Sequence, residues 1–364
     1  MKRWGMSRLD RYIFVKFLGN YGLFLGLVML IAVVFDISQK LDNFISQGAS
    51  VSAILGDYYV NFIAFYGTTF TGLIVFLSTI FFTGRMADQT EITAVLTGGV
   101  SFQRLLKPYF LGATVVFVLT ATLSHFVIPQ TNIRRIHFED TYVQDVMPSR
   151  PINIHRQVLP EHFVYVETWS PERLGGYHFT YERFDQTRML EKLECDFIRF
   201  DTIRQLWQLD NWTRRTWNAQ GTQVLSRGRR LDTAFSFGPS TISPDLRSTA
   251  TMTSPALWTF LQQERLSGSE AVVYHEMEWY RRTAYPFSVY ILVLIAVALA
   301  SEKRRGGIGA QIAIGLLLAV TYIFVMQLSG IFVASPYITP WLAVWMPNLL
   351  FAVLGVYLYL RAAK

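Results

Sequence analysis

The sequence contains a single cysteine, Cys195, among 364 residues. One thiol cannot form an intrachain disulfide, so no disulfide framework holds this chain together. The simplest interpretation of Cys195 is a small buried hydrophobic residue. The chain also lacks the G-x-x-x-x-G-K-[ST] loop that cradles nucleotide phosphates, an H-E-x-x-H motif and any Cys/His cluster with metal-ligand spacing. We therefore expect no nucleotide hydrolysis by this chain itself, no metal centre and no cofactor.

Charged residues are nearly absent from six long apolar stretches. A helix that crosses a bilayer needs about 20 apolar residues, and six stretches meet this length: residues 12–35, 51–82, 109–128, 284–300, 308–334 and 341–360. Asp36 follows the first stretch, and His125 lies near the end of the third, where an interfacial position is the simpler interpretation. A secondary transporter or channel would place charged residues or broken helices at the midplane, so this class is disfavoured.

The distribution of lysine and arginine predicts the orientation of the six helices. Basic residues cluster at the two ends of the chain and in the second and fourth connections: Lys2, Arg3, Arg8, Arg11, Arg85, Arg104, Lys107, Lys303, Arg304, Arg305, Arg361 and Lys364. The first connection holds only Lys40, and the fifth holds no basic residue. By the positive-inside bias, both termini lie in the cytoplasm and the long third connection lies outside. The net charge of +7 is explained by this topology and by anionic headgroups, so it does not indicate nucleic-acid binding.

The chain therefore divides into three segments. Residues 1–128 hold the first three helices, 129–282 an extramembrane domain of ordinary size, and 283–364 the last three helices. The first apolar stretch is too long for a cleavable signal peptide and lacks a small-residue cleavage site. We expect it to insert as the first helix.

The extramembrane domain has the pattern of a β domain. Short runs rich in aromatic and β-branched residues, separated by turn signals, predict strands over 162–168, 177–184, 192–201, 206–217 and 221–225. Several short strands at this spacing are typical of a sandwich, a jelly roll or an open barrel. The pattern becomes helical from Ser254 to Tyr280, with Ser254 as a candidate N-cap and Pro255 at the first helical position.

The cytoplasmic connection between the second and third helices predicts a short amphipathic helix over about 85–99 that ends at glycine. Asp88, Glu91 and Val95 fall near one another at i, i+3 and i+7. Such a helix could lie on the membrane as a passive connector, or it could be the element that a cytoplasmic ATPase subunit grips. The pattern alone leaves both interpretations open.

Several short motifs, in order and at characteristic spacing, resemble those of the LptF/LptG permease family, the membrane subunits of the ABC-type exporter that extracts lipopolysaccharide from the inner membrane. The resemblance runs nearly end to end. It is carried by Leu9-Asp10-Arg11-Tyr12-Ile13, the segment 91–101 followed by 104–108, Pro129, Met252-Thr253 with Leu257, and the segments 278–286, 303–306 and 345–350. The opening motif and the short chain are more similar to LptG than to LptF.

This resemblance implies an inner-membrane protein of six helices with a periplasmic β-jellyroll inserted between the third and fourth. It also implies a heterodimer of one LptF and one LptG on two copies of the cytoplasmic ATPase LptB, with LptC and LptA as the periplasmic bridge. The helix at about 85–99 would be the coupling helix, and Glu91 matches the family's glutamate, with Asp88 and Val95 beside it. The family often has a basic residue just before that glutamate, whereas this chain has Gln89-Thr90. The ATPase contacts at this point are therefore left open.

Phosphorylated sugar headgroups require cations at the outer rim of the membrane. Lys40 follows the first helix, and Arg134 and Arg135 follow the third. Arginine binds phosphate through two parallel hydrogen bonds, whereas lysine acts as a point charge. The resemblance implies lipopolysaccharide contacts in these regions, although ordinary interfacial anchors would have the same composition. The alternative to a transporter is a membrane scaffold for an envelope assembly, which would require neither Glu91 nor a lipid cavity.

Overall fold

The computed structural model describes residues 7–143, 152–218, 221–242, 248–269, 271–302, 307–333, 335 and 337–362. The terminal basic residues Lys2, Arg3 and Lys364, and the cluster over 303–305, lie outside these residues. The chain forms two compact units, one made of Met1–Gln144 with Glu276–Lys364 and the other of Asp145–His275. The second unit falls inside the predicted extramembrane segment 129–282.

Twelve α-helical segments are present in the described residues. They are α1 Arg8–Ser46, α2 Val51–Ala53, α3 Val60–Thr69, α4 Thr71–Asp88, α5 Glu91–Thr97, α6 Phe102–Thr122, α7 Ile128–Tyr142, α8 Pro239–Ile242, α9 Ser254–Leu266, α10 Val272–Ala300, α11 Gly307–Phe332 and α12 Pro340–Arg361. Two π-helical segments, Ile54–Tyr59 and Leu123–Val127, make α2–α3 and α6–α7 continuous.

The helices of the first unit account for the six predicted spans. Five are long and apolar enough to cross a membrane, including α1 with 39 residues and the continuous helix Phe102–Tyr142 with 41. The sixth is a bent pair, Val51–Thr69 with Thr71–Asp88, in which the axis turns by 68° at Phe70. The predicted fold class, a helical membrane protein with an inserted β domain, is confirmed.

Close contact between α1 and α6 organises the first half of this unit. A Cβ atom at Gly112 of α6 would lie 2.4 Å from the ring of Phe17 of α1, so only glycine permits this approach. Phe17 in turn meets the rings of Phe82 and Tyr109 edge to face. Helix pairs in membranes rely on such small residues because lipid gives no hydrophobic drive for association.

A buried asparagine joins the last three helices. The Asn348 side chain of α12 donates to the carbonyl of Ala284 in α10 at 2.7 Å, and it accepts from the hydroxyl of Tyr322 in α11 at 3.0 Å. Asn348 is almost fully buried. One amide therefore satisfies polar groups from three helices, which fixes their mutual rotation.

The second unit is built on one antiparallel sheet of six strands in chain order. The strands are β1 Ile152–Leu159, β2 His162–Ser170, β3 Gly175–Asp185, β4 Arg188–Asp201, β5 Leu206–Trp217 and β6 Gln223–Thr233. The last five follow the predicted runs, whereas β1 was not predicted because His155 and Arg156 interrupt its apolar pattern. This up-and-down order differs from the Greek key of a jelly roll.

One face of the sheet carries the core of the second unit. Val166, Phe179 and Ile198 are fully buried there, and segment 235–242 covers them. The indole N–H of Trp207 donates to the carbonyl of Phe237 at 3.0 Å, which holds this covering segment in place. Cys195 lies in the same core, as predicted for a small buried hydrophobic residue.

A buried ion pair connects the sheet to the helices beside it. Arg156 of β1 points to the core face and pairs with Glu264 of α9, and its guanidinium also donates to the carbonyl of Thr241 in α8. Both charged residues are 5% exposed. The ring of His275, which is fully buried, lies 4.0 Å from the Glu264 carboxylate. Removing either partner would leave an unpaired buried charge.

Replacing Arg156→Met should lower the free energy of unfolding of the second unit by about 3–5 kcal/mol, because Glu264 loses its counter-ion. Proteolysis of the full chain across a urea series would measure this. Arg230→Met, which removes an exposed guanidinium 3.5 Å from Asp232, should cost less than about 1 kcal/mol. Equal effects of the two substitutions would show that the buried pair does not stabilise the unit.

Cys195 should be unreactive in the folded protein. Burial, together with the nearby Asp196 and Asp210 carboxylates, raises the pKa of its thiol to about 12, and the thiolate is the nucleophile. We expect a maleimide at pH 7.5 to label Cys195 only after urea denaturation. In a Cys195→Ala background, Ile203→Cys places a thiol at a position that is 93% exposed and should label at once. Rapid labelling of native Cys195 would contradict the packing described.

Candidate functional site

The predicted cytoplasmic helix is divided into two pieces. Helix α4 continues to Asp88, the chain turns at Gln89 and Thr90, and α5 then runs from Glu91 to Thr97. Thr90 has a φ of 63°, an unfavourable left-handed conformation for a β-branched residue. The segment over 85–99 is therefore a helix end, a strained turn and a separate short helix.

Helix α5 is held against its own chain by one face. Ile92 is fully buried, and Val95 and Leu96 pack half-buried against the core formed by α1, α4 and α6. Thr93 and Ala94, on the opposite side of α5, are exposed, and so is Asp88 at the end of α4. Of the three predicted coupling residues, Asp88 is thus the most accessible, Glu91 is intermediate, and Val95 partly serves the chain's own core.

The Glu91 carboxylate is linked to the first helix. It accepts a hydrogen bond from the hydroxyl of Tyr12 at 3.1 Å, and it lies 3.9 Å from the ammonium of Lys16. The sequence reasoning missed Tyr12 and Lys16 as site residues. Tyr12 and Lys16 are four residues apart, so both lie on one side of α1. This spacing could have indicated that they share an acidic partner.

A second polar contact fixes the start of α1. The guanidinium of Arg104, in the first turn of α6, donates to both carboxylate oxygens of Asp10 at 2.8 and 2.5 Å. Asp10 also accepts from the backbone N–H of Ser7, while the Ser7 hydroxyl accepts from that of Asp10. The first two turns of α1 are therefore tied to both α5 and α6.

At the other end of α1, Lys40 already has partners within the chain. Its ammonium lies 2.7 Å from the Asp36 carboxylate and donates to the hydroxyl of Tyr58. Asp36 accepts further hydrogen bonds from the hydroxyls of Tyr58 and Tyr59 at 3.3 and 3.1 Å. The positive charge of Lys40 is thus neutralised, and a lipid phosphate would have to compete with Asp36 for it.

The predicted arginine pair is separated by its helix. Arg135 is buried, donating to Asn132 and to Glu139, each at 2.7 Å, and its guanidinium stacks 4.7 Å above the ring of Phe65. Arg134 is exposed. Successive residues on an α-helix point about 100° apart, which places Arg134 on the exposed side of α7 and Arg135 on its packed side. Arg134 is therefore the better placed of the two for a ligand, and Arg135 has a structural position.

The sequence has a clear match among known protein families. The model of the family described as lipopolysaccharide export system permease LptF/LptG matches residues 11–361, nearly the whole chain. The chain belongs to the LptF/LptG family. This confirms the predicted family, and the match does not separate LptF from LptG. No match was found among curated proteins.

Membership places the chain in a functional class. The LptF/LptG family is the permease of the lipopolysaccharide export system, a transport component rather than an enzyme. Its apolar helices and this family assignment make the chain a multi-pass protein of the inner membrane. In this LptF/LptG chain each end of α1 carries a polar cluster, one around Glu91 and one around Lys40.

The two arginines of α7 should respond differently to substitution. Arg135→Met should lower the melting temperature of the purified chain, because Glu139 and Asn132 lose a buried partner. Arg134→Glu should leave the melting temperature unchanged but weaken photocrosslinking to lipopolysaccharide, since it reverses an accessible charge. A melting temperature that falls equally in both variants would contradict the assignment, and unchanged crosslinking would remove Arg134 from the site.

Proposed function

We propose that this chain is the membrane subunit that extracts lipopolysaccharide from the inner membrane and passes it toward a periplasmic bridge, driven by a separate ATPase. The family match over residues 11–361 is the observation that carries the proposal. Its partners would be a dimeric ATPase of the LptB type, a paralogous LptF or LptG subunit, and bridge proteins of the LptC and LptA type. The opening motif favours the LptG position in this assembly.

The energetics of extraction require an external energy source. Moving an acyl chain from bilayer to water costs about 0.8 kcal/mol per CH₂, or roughly 10 kcal/mol for a 14-carbon tail. Lipopolysaccharide carries several tails. Because this sequence has no Walker loop, another subunit must hydrolyse the nucleotide.

The contacts of α5 support a route for coupling. An ATPase that moves α5 would act on Ile92, which is buried between α5 and the core, and on the Glu91–Tyr12 hydrogen bond. Both lead to α1. Since exposed ion pairs contribute at most about 1 kcal/mol, Glu91 can exchange Lys16 for a basic group of the ATPase at little cost.

The surface of α1 supports a cavity wall. Only 11% of the residues in its most apolar 18-residue stretch are buried within the chain. The large side chains exposed along α1 are Leu23, Leu27, Leu30, Ile31, Val34 and Phe35. Such a surface is suited to acyl chains, and a second six-helix subunit could close the opposite side. A surface that replaces the bilayer around acyl chains must be apolar, and α1 is nearly free of charge between Leu23 and Phe35.

The sheet of the second unit supports a route onward. Strand β6 pairs only with β5 in the described residues, and most of its side chains are exposed. At the other edge, the backbone N–H of Gln157 in β1 already donates to the carbonyl of Ser267. An unpaired edge can be extended by a strand of a partner protein. We therefore place the bridge protein on β6.

Purification of the tagged chain from its native membrane in mild detergent should recover an ATPase with Walker motifs and a second six-helix chain. In the Glu91→Lys variant we expect the ATPase to be lost or lipopolysaccharide release to fall at least tenfold, because the charge at the α5 contact is reversed. Membrane insertion should be unchanged. Glu172→Lys, an exposed reversal in the second unit, serves as the matched control.

Tyr12→Phe should reduce transport per ATP hydrolysed by roughly twofold to tenfold, the equivalent of one hydrogen bond of about 0.5–1.5 kcal/mol. It removes only the hydroxyl that reaches Glu91. Full support of growth by the Glu91→Lys variant, with no ATPase recovered from wild type, would instead favour a membrane scaffold that transports nothing.

A further inference from the structure

A cavity with several polar side chains in its lining lies among the apolar helices of the first unit, apart from the contacts of Lys40 and Glu91. Its volume is about 120 Å³, and its polar lining comes from the end of α3, the π-helical segment Leu123–Val127 and α10: Thr68, Thr69, Ser124, Glu278, Arg281 and Arg282. Polar side chains are costly in membrane helices and most often mark functional sites. This cluster is therefore the strongest candidate for a second site.

Two irregularities of the backbone meet at this cavity. Thr68 and Thr69 are the last residues of α3 before the 68° bend, and Ser124 lies within the π-helical segment. Single π turns recur at functional sites. At membrane depth, such departures from regular helix are tolerated where the freed backbone lines a cavity. The helices that form these walls thus deviate from regularity at the level of the two arginines.

The charges around the cavity do not cancel. Arg282 is 4% exposed, and its Nε atom donates to the Glu278 carboxylate at 3.2 Å, so these two groups neutralise each other. Arg281 adds a second guanidinium, hydrogen-bonded to Tyr285 in the cavity wall, and Glu278 is the one carboxylate among the lining residues described. The lining therefore carries one excess positive charge, which favours an anion.

The threonine hydroxyls cannot donate to that anion. Thr68 donates to the carbonyl of Ala64 at 2.8 Å, and Thr69 to that of Phe65 at 2.9 Å. The guanidiniums are therefore better donors to the anion than these threonines, because their planar N–H groups match the oxygens of phosphate.

The depth of the cavity matches that of lipid headgroups. At 1.5 Å per residue, Thr69, Ser124 and Arg282 lie roughly 27–33 Å from the cytoplasmic ends of α4, α6 and α10. The hydrocarbon core of a bilayer is about 30 Å thick. All three walls thus reach the far membrane boundary, which is the periplasmic leaflet in the topology proposed above. Phosphate groups of membrane lipids lie at this level.

We propose that this cavity binds the phosphate of a membrane-lipid headgroup in that leaflet. Arg281 is the main ligand of the phosphate, and the paired side chains of Arg282 and Glu278 form part of the lining beside it. The volume accommodates one phosphate group in place of a few water molecules, but not an acyl chain, which would remain outside in the bilayer. Phe65 separates this site from the Arg135 contacts, since its ring forms a wall of the cavity and also packs under that guanidinium.

Binding can be tested on the complex purified with its native subunits in lipid-free detergent. Native mass spectrometry would follow titrations with phosphatidylglycerol, lipopolysaccharide, inorganic phosphate and diacylglycerol, which lacks phosphate. We expect Arg281→Gln to lower the affinity for phosphate-bearing lipids at least tenfold and to leave the binding of diacylglycerol unchanged. Arg361→Gln is the matched control, because Arg361 lies in the last turn of α12, on the predicted cytoplasmic side and away from the cavity. This variant should bind the lipids with wild-type affinity.

A second variant guards against a loss of folding. Thr69→Leu fills the cavity without removing a charge. It should lower the affinity for the same lipids and leave the melting temperature unchanged. Loss confined to lipopolysaccharide identifies its phosphate as the ligand, and loss that includes phosphatidylglycerol identifies phospholipid. Wild-type affinity in both variants, or an effect on inorganic phosphate alone, would overturn the proposal. Because no ATP hydrolysis is measured, this result is independent of the coupling experiment on Glu91.

Discussion

The constraint on which this structure depends is that every backbone N–H and C=O group within a bilayer must find a partner in the protein. An unpaired group in hydrocarbon costs several kcal/mol, so the spans are helices. This requirement makes the few departures from regular helix informative. In the first unit they are the bend at Phe70 and the π segments at Ile54–Tyr59 and Leu123–Val127. Each adjoins a polar cluster, either around Asp36 or around Arg282.

Helix α1 connects two of the candidate sites. Near its start, Asp10 and Tyr12 bind groups on α6 and α5, and near its end Asp36 gathers Lys40 and two tyrosine hydroxyls. Between them the helix exposes an apolar surface along most of its length. The described middle of α1 has a polar contact to α4 between the hydroxyls of Tyr21 and Thr71, at 3.3 Å, and is otherwise held mainly by apolar packing. A rotation or a shift at one end of such a helix is transmitted along it to the other end.

Long-range pattern predicted most of the fold, because apolar length and basic flanks are summed over many residues. The six spans and five of the six strands are examples. The sequence did not predict β1, whose core face carries Arg156, since an arginine on that face reads as a break until its partner Glu264 is known to pack beside it. The bend at Phe70 was missed for the opposite reason: residues 51–82 are apolar throughout, and composition alone does not report a change of axis.

The candidate sites were less predictable because their chemistry depends on which side chains meet. Sequence position placed Lys40, Arg134 and Arg135 at one level, yet only Arg134 is exposed, while Lys40 and Arg135 are committed to Asp36 and Glu139. Glu91 was found by resemblance, but its contact with Tyr12 spans 79 residues of sequence. Contacts between residues so far apart in sequence leave no local periodicity that would predict them.

The length of the first helices has a mechanical consequence. Helix α1 has 39 residues and Phe102–Tyr142 has 41, so at 1.5 Å per residue each is roughly 60 Å long, about twice the thickness of the hydrocarbon core. In the proposed topology the apolar spans end at residue 35 of α1 and at residue 128 of the second helix, so the last 11 and 14 residues extend beyond the membrane as a stalk of roughly 16–21 Å. A lipid leaving the membrane along this stalk would have protein beside it over that length, so its tails could change surroundings gradually instead of in one step.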